Sequence, residues 1–576
     1  MKVFCFLLAF GVLLGAASIS ASALDREAFT ITKYDLEVRL DPSQQRLGAR
    51  GKITLRNDSP QPQKIASLQI SSSLNWLSIR AGDKPLPFVS QPFVSDIDHT
   101  GGLSEAIVTL PADVKPKDSV ELEIGYEGVI PLDMTRLTRV GIPTDIARHT
   151  SWDQIGKSFT AVRGAGYVAW YPIATESADF SEGNSLFEVG NRWKTREAGS
   201  EFRAKLVLSG ESGERAPTII CTPGAVSSKE AGPTQETSGE CTWTALGIVA
   251  PTFAMARYRD DFRPPLMVLS LEGHESGVAT YLSAIEPATK FVTEWFGKPT
   301  APIAIADFAD PHAAPFESGT LLMVSMAGED TKLAGINLVH ELVHSAFASP
   351  RPWVSEGLAH FAEAVYREQQ GGREAALDLI GLHRAAFLDS EKEVAAAAEK
   401  NAGQPLINTF DETYYRSKAA YVWWMLRDMV GPAALKEAIR GYRAADDADP
   451  KYVERLIESA SKRDLSVFFD DWVYHDRGLP DFHVQSVHPW KDKNEKAGKE
   501  VQMVTITVEN LGSAGAEVPF TVQCEASEIT NRLEIRAKSA ATTRVELPCA
   551  PVEIVINDGS VPESDLTNNV FRITEQ

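Results

Sequence analysis

The densest group of chemistry-bearing side chains in the chain is His340-Glu341-Leu342-Val343-His344. In a helix, residues four apart share a face, so His340 and His344 can grip one ion through their ring nitrogens. Glu341 stands beside the first histidine and can reach a water on that ion without being a ligand itself. Leu338, Val339, Leu342, Val343, Ala346 and Phe347 surround these residues with apolar side chains. Two surface histidines flanking an acid would need no such surroundings, whereas three polar side chains in a buried helix need a reason. The pattern predicts a metal centre that lacks only its third ligand.

Downstream stands Trp353-Val354-Ser355-Glu356-Gly357-Leu358-Ala359-His360-Phe361-Ala362-Glu363. Pro350 and Pro352 separate it from the histidine segment, and helical periodicity runs from Ser355 to Gln369. Two antiparallel helices joined by a short loop would carry a carboxylate to the two imidazoles. Two His, one acid and an open fourth position make up a catalytic rather than a structural zinc site. Zinc so held lowers the pKa of a bound water to about 7 and polarises a carbonyl.

These segments need a scaffold, and the chain's patterning divides into three. Residues 24–258 read as successive strands, as in Tyr34-Asp35-Leu36-Glu37-Val38-Arg39-Leu40 and Ser119-Val120-Glu121-Leu122-Glu123-Ile124, with no long helical periodicity. Residues 259–482 carry apolar residues at three- and four-residue intervals over Gly277–Phe296, Leu333–Phe347, Trp353–Gln370 and Ser417–Met429, which implies a helical domain. Residues 483–576 return to alternation, as in Val501–Val508 and Arg544–Leu547, with a turn at Asn557-Asp558-Gly559. The expected fold is multidomain: an N-terminal all-β saddle or sandwich, a mainly α catalytic domain, and a C-terminal Ig-like β-sandwich.

Residues 1–23 read as an export signal, with Lys2, an apolar run from Val3 to Ala17 and a small-residue cleavage site at Ala21-Ser22-Ala23. No later stretch offers about eighteen uninterrupted apolar residues, so stable membrane insertion is not expected. The protein is expected to be secreted or periplasmic. A net charge of -21 argues against nucleic acid and anionic membranes as partners. Cys221, Cys241, Cys524 and Cys549 fall as two sequence-local pairs, which in an exported protein points to two disulfides rather than a metal cluster; free buried thiols are the alternative.

Taken together, the two motifs resemble the gluzincin zinc metallopeptidases, and more narrowly the aminopeptidase N-like family that includes leukotriene hydrolase. That family pairs an HExxH helix with a Trp-x-x-Glu-Gly helix whose Glu is the third zinc ligand; here that residue is Glu356. The likeness extends to Tyr34–Tyr126, Trp170-Tyr171-Pro172, Phe468-Phe469-Asp470-Asp471-Trp472 and Gly478-Leu479-Pro480, or roughly residues 30–482. The final segment resembles a CARDB-like adhesion module in Val508-Glu509-Asn510-Leu511-Gly512 and Glu563–Asn569. Eleven residues separate His344 from Glu356, fewer than the family's usual spacing, and by counting alone Glu363 would be the ligand. The motif around Glu356 decides for Glu356, and His360 and Glu363 are then candidates to orient the ligands.

The resemblance implies a thermolysin-like catalytic domain and a zinc-dependent aminopeptidase that cuts N-terminal residues from peptides by attack of a zinc-bound water. Glu341 is then the general base. A Tyr before a later helix donates to the carbonyl oxygen in the family, which implies Tyr415, with Tyr414 as its rival. A Glu in the family's Gly-Ala-Met-Glu-Asn strand reads the substrate amine, which implies Glu317 in Ala314-Pro315-Phe316-Glu317-Ser318-Gly319. His312 reads as a loop residue. Two other readings stay open: a zinc endopeptidase on the same scaffold, and a non-catalytic exported binding protein whose C-terminal sandwich engages a protein or surface partner.

Overall fold

The computed structural model describes residues 24–181, 185–209, 217–221, 225–227, 229–231, 236–247, 249–299, 302–327, 331–397, 405–409, 413–447, 449–475, 477–494 and 499–573. The expected export signal, residues 1–23, lies outside the described residues.

In the first part, alternation builds the sheet as expected. Phe29–Asp41 pairs antiparallel with Arg46–Asn57 and parallel with Glu201–Ser209, within an eight-stranded sheet. Tyr34, Leu36, Val38 and Leu40 point into the core, while Asp35, Glu37 and Arg39 face outward. A three-stranded sheet of Gln63–Ser71, Phe88–Val94 and Gly102–Val114 contributes Ala66, Leu68, Ile70 and Val108 to the same core, beside Trp170, Tyr171 and Phe202. Cys221 and Cys241 form a disulfide here, and Cys524 and Cys549 form one near the C-terminus.

One departure from the strand-only expectation is the helix Ser185–Glu197. Its buried positions Leu186, Val189 and Trp193 are spaced by three and four residues, but charged neighbours dilute the pattern. Short helices at Thr135–Arg139 and Thr144–Thr150 add to it.

The helical part opens on a five-stranded mixed sheet, in the order Arg259–Arg263, Leu266–Ser270, Ile303–Asp307, Leu321–Val324, Phe316–Ser318. The strands Ile303–Asp307 and Leu321–Val324 are apolar at nearly every position because both faces are covered. Ile303, Ile305, Leu322 and Val324 join the helical core, and Ala304, Ala306, Leu321 and Met323 join a second cluster with Trp152, Phe159 and Tyr258. The helices Glu275–Trp295, Thr331–Ala346 and Ala419–Val430 lie within two residues of the sequence expectation. Pro352–Gly381 is two helices broken at Gly372, whose φ of 82° ends the first.

The C-terminal strands form two sheets, Phe482–Asn494, Lys499–Asn510 and Ser539–Leu547 against Glu528–Ile535, Ala516–Cys524, Pro551–Ile556 and Val570–Arg572. Their core, including Val504, Ile506, Val518, Phe520 and Ile554, is continuous with the helical core. Trp472 Nε1 donates to the Gly515 carbonyl (2.7 Å), Gly515 N–H donates to Asp471 Oδ2 (2.8 Å), and Arg373 bridges Asp428 and Asp558. The sandwich is therefore packed into the body of the molecule. No helix among the described residues is long and apolar enough to cross a membrane.

Candidate metal centre

The helix Thr331–Ala346 buries Leu338, Val339, Leu342 and Val343 completely, which sinks the polar residues between them. His340 is left 2% exposed and Glu341 0%. His340 Nε2 and His344 Nε2 lie 3.1 Å apart, as their four-residue spacing on one helical face requires.

The next helix starts at Pro352, a first-turn position where the missing N–H costs nothing. Trp353 stacks on Trp423 with ring centroids 5.2 Å apart, and Trp423 Nε1 donates to the Trp353 carbonyl (3.1 Å). Gly357 permits this approach: a Cβ there would sit 2.6 Å from Ala419 Cβ and 3.1 Å from the Trp423 ring. The contact seats Glu356 with Oε1 3.7 Å from His344 Nε2 and Oε2 4.0 Å from His340 Nε2.

Zinc with nitrogen and oxygen ligands at about 2.0–2.2 Å in a tetrahedron keeps ligand atoms about 3.4 Å apart. His340, His344 and Glu356 converge close to that spacing, so the donor set fits the ion. Glu363 takes another place. Its Oε1 is 2.8 Å from His340 Nδ1 and its Oε2 3.0 Å from His360 Nδ1, on the far side of the His340 ring. A carboxylate there fixes the ring and leaves Nε2 for an ion.

Glu317 reaches the centre from the sheet. Gly319, at φ 63°, opens a two-residue turn between Phe316–Ser318 and Leu321–Val324. Glu317 pairs with Leu322, whose side chain faces the helical core, and so Glu317 projects to that side. Its Oε2 is 3.3 Å from His340 Nε2, and its Oε1 is 3.1 Å from Arg416 Nη2. Arg416 Nε is also 3.7 Å from Glu356 Oε2.

Sequence reasoning did not single out Arg416. It lies in Thr413–Lys418, a π-helical segment whose wider turn changes which residue faces the sheet, so counting along an α-helix does not locate it. A basic residue between two tyrosine candidates and a helix start was the available signal. Tyr414 and Tyr415 are both buried within the apolar core, and Arg416, from the same segment, meets the Glu317 and Glu356 carboxylates. His312 is an exposed turn residue whose ring lies 5.4 Å from that of His149.

The electrostatics separate the roles. Burial lowers His340, but Glu317 and Glu363 outweigh it and push the imidazole up to about 10. Burial lowers His344, which favours the neutral ring a metal needs. Burial alone would raise Glu356, yet His344 and Arg416 hold it at about 2, as a carboxylate. Burial, followed by Glu317, drives the Glu341 carboxyl well above the usual range. A dication alongside acts in the opposite direction on Glu341. Among the described residues neither Glu341 oxygen finds a hydrogen-bond donor, although both are buried.

No protein-family model and no curated protein matches the chain. Among solved structures, it is similar to an M1 zinc metallopeptidase from Deinococcus radiodurans, at 14% identity and a TM-score of 0.46 over 78% of this chain and 94% of that one. A mutant of that enzyme gives 14% identity and a TM-score of 0.47 over 79% and 96%.

Proposed function

We propose that this chain is an exported zinc peptidase and, within that class, an aminopeptidase. The observation that carries the reading is Glu341, a wholly buried carboxyl group with no hydrogen-bond partner among the described residues, one residue from a converging His-His-Glu set. A buried carboxylate left unsatisfied is costly to the fold and is retained where it moves protons.

His340, His344 and Glu356 would hold the ion, and Glu363 fixes the His340 ring for that task. Zinc in this set supplies a Lewis acid that polarises the scissile carbonyl and acidifies water. Glu341 takes the proton from the attacking water and returns it to the leaving amine. Phe316–Ser318 is an edge strand and can align an extended peptide by backbone pairing. Glu317 Oε2, on that strand, receives the substrate's α-ammonium. On the family resemblance, Tyr415, with Tyr414 as its rival, donates to the carbonyl oxygen. Residues 24–258, 259–482 and 483–576 serve as the β, catalytic and CARDB-like units, and the two disulfides suit an extracytoplasmic setting.

The Arg416–Glu317 ion pair favours a second reading, a zinc endopeptidase in which Glu317 is already neutralised and needs no ammonium. The test compares zinc-loaded enzyme on a peptide and its N-acetylated twin. An aminopeptidase cuts the blocked peptide far more slowly, and Glu317→Ala erases the difference. Equal cleavage of both selects the endopeptidase, and cleavage of neither selects a non-catalytic binding protein.

A further inference from the structure

Glu317 borders the ion's place: it touches His340 and groups with Glu356 and His360, outside the His340-His344-Glu356 set. Its Oε2 lies 3.3 Å from His340 Nε2, whereas Glu356 Oε2 lies 4.0 Å from the same nitrogen. The shorter distance matches the about 3.4 Å between neighbouring ligand atoms on tetrahedral zinc. A second carboxylate moving onto the ion would fill its fourth position. Four protein ligands make a closed, structural type of site that leaves no place for water or a substrate carbonyl.

Arg416 opposes that move. Arg416 Nη2 holds Glu317 Oε1 at 3.1 Å, and Arg416 Nε faces Glu356 Oε2 at 3.7 Å. We propose that Arg416 is a positioning residue that keeps Glu317 off the metal and so keeps the fourth coordination position open. The proposal rests on the metal centre proposed above and concerns its coordination number, not the identity of the substrate.

Arg suits this task better than Lys. The guanidinium stays protonated at every working pH, and its planar fork can face two carboxylates at once. Arg416 and Glu317 are 30% and 28% exposed, so the pair lies on the open side of the centre, away from the fully buried Glu341. A part-exposed ion pair contributes little to folding, so its loss should leave the fold intact. Without Arg416, the strongest cation left for Glu317 is the metal.

The experiment uses the full-length mature protein and two readouts that need no turnover. Zinc affinity is measured by competition with a chelator. Access to the fourth position is measured by titrating the cobalt(II)-loaded protein with acetohydroxamate and following its visible spectrum. Arg416→Gln should bind zinc about tenfold more tightly and acetohydroxamate at least about tenfold more weakly, the scale on which groups around metal ligands act. Glu317→Ala in the Arg416→Gln background should restore acetohydroxamate binding, because the intruding carboxylate is gone. Arg416→Lys, which keeps the charge, should stay nearer the wild type in both readouts. Wild-type zinc affinity and acetohydroxamate response in Arg416→Gln would overturn the proposal. A wild-type protein that takes up neither zinc nor cobalt would instead defeat the metal centre itself.

Discussion

Glu105 in the N-terminal sheets and Glu341 in the histidine helix are both 0% exposed, and their surroundings could hardly differ more. Glu105 receives Arg26 through Nε (2.7 Å) and Nη2 (3.2 Å), with Ser67 (2.8 Å), Gln91 (2.8 Å) and Gln69 (3.3 Å) completing its shell. Burial works to raise its pKa, but Arg26 and the neutral donors hold it below the usual range. Glu341 has no such donors among the described residues, and its carboxyl rises. The first is a carboxylate solved as a structural problem. The second is left without donors among the described residues, as the proposed role of taking and releasing a proton would require. Burial alone does not distinguish these two carboxyl groups; their hydrogen-bond inventories do.

That contrast can be broken most sharply at Glu341. Glu341→Gln keeps the shape of the side chain but cannot accept the proton of water, so peptide hydrolysis should fall by about a thousandfold. Zinc content, measured by metal analysis, and melting temperature should stay near wild type. A variant that turns over at the wild-type rate would remove Glu341 as the base. Next in size is the pair on the following helix. Glu356→Ala should abolish zinc retention, and Glu363→Ala should weaken it by about 10–100-fold, since in the proposed centre it only fixes the His340 ring. Chelator competition on both variants checks the order, and the reverse order would exchange ligand and support. On the structural side, Glu105→Ala leaves Arg26 and several donors without their acceptor and should cost about 3–5 kcal/mol. Denaturant unfolding measures it, and zinc affinity should not change. A Glu105 variant that unfolds like wild type would mean that the shell around it is not what stabilises the sheets.

Much of the centre was legible because its parts are local. The four-residue spacing of His340 and His344 and the Glu356-Gly357 dipeptide each express one helix's geometry, and the structure gives Gly357 a reason in its contact with Ala419 and Trp423. Glu317 was legible only through resemblance, since nothing local says that a strand 23 residues before His340 returns to it. Arg416 was not legible: its position depends on a π-helical turn, and its partners lie on two distant elements. The five-stranded sheet also escaped periodicity, because strands covered on both faces lose the alternation that marks a half-buried one. The helix Ser185–Glu197 failed for the opposite reason, an apolar stripe of three residues diluted by charge.

The smallest expected effect lies at the end of that helix and tests whether the contrast between the two carboxylates is a continuum. Glu197 is 1% exposed and sits between the extremes. Its Oε1 accepts from Ile31 N–H (2.8 Å), and its Oε2 faces the hydroxyls of Ser200 (3.3 Å) and Tyr34 (3.4 Å). Burial nevertheless wins over these donors and over Arg196, and raises the carboxyl to about 8. An unfolded glutamate titrates near pH 4.3, so between about pH 4.3 and 8 the folded chain binds this proton and the unfolded chain does not. Stability contributed by Glu197 is therefore complete below about pH 4 and is lost as pH rises through that window. Glu197→Gln removes the titration, while its amide oxygen can still accept from Ile31 and its NH2 can donate to Ser200 or Tyr34. The variant should be less stable than wild type near pH 4, by the cost of burying the amide in place of the neutral acid, and should overtake it toward pH 8, ending about 1–3 kcal/mol more stable. Unfolding free energies of both proteins from pH 4 to 9 supply the comparison. A difference that does not change with pH would show that the three donors satisfy Glu197 as fully as Arg26 and its neighbours satisfy Glu105.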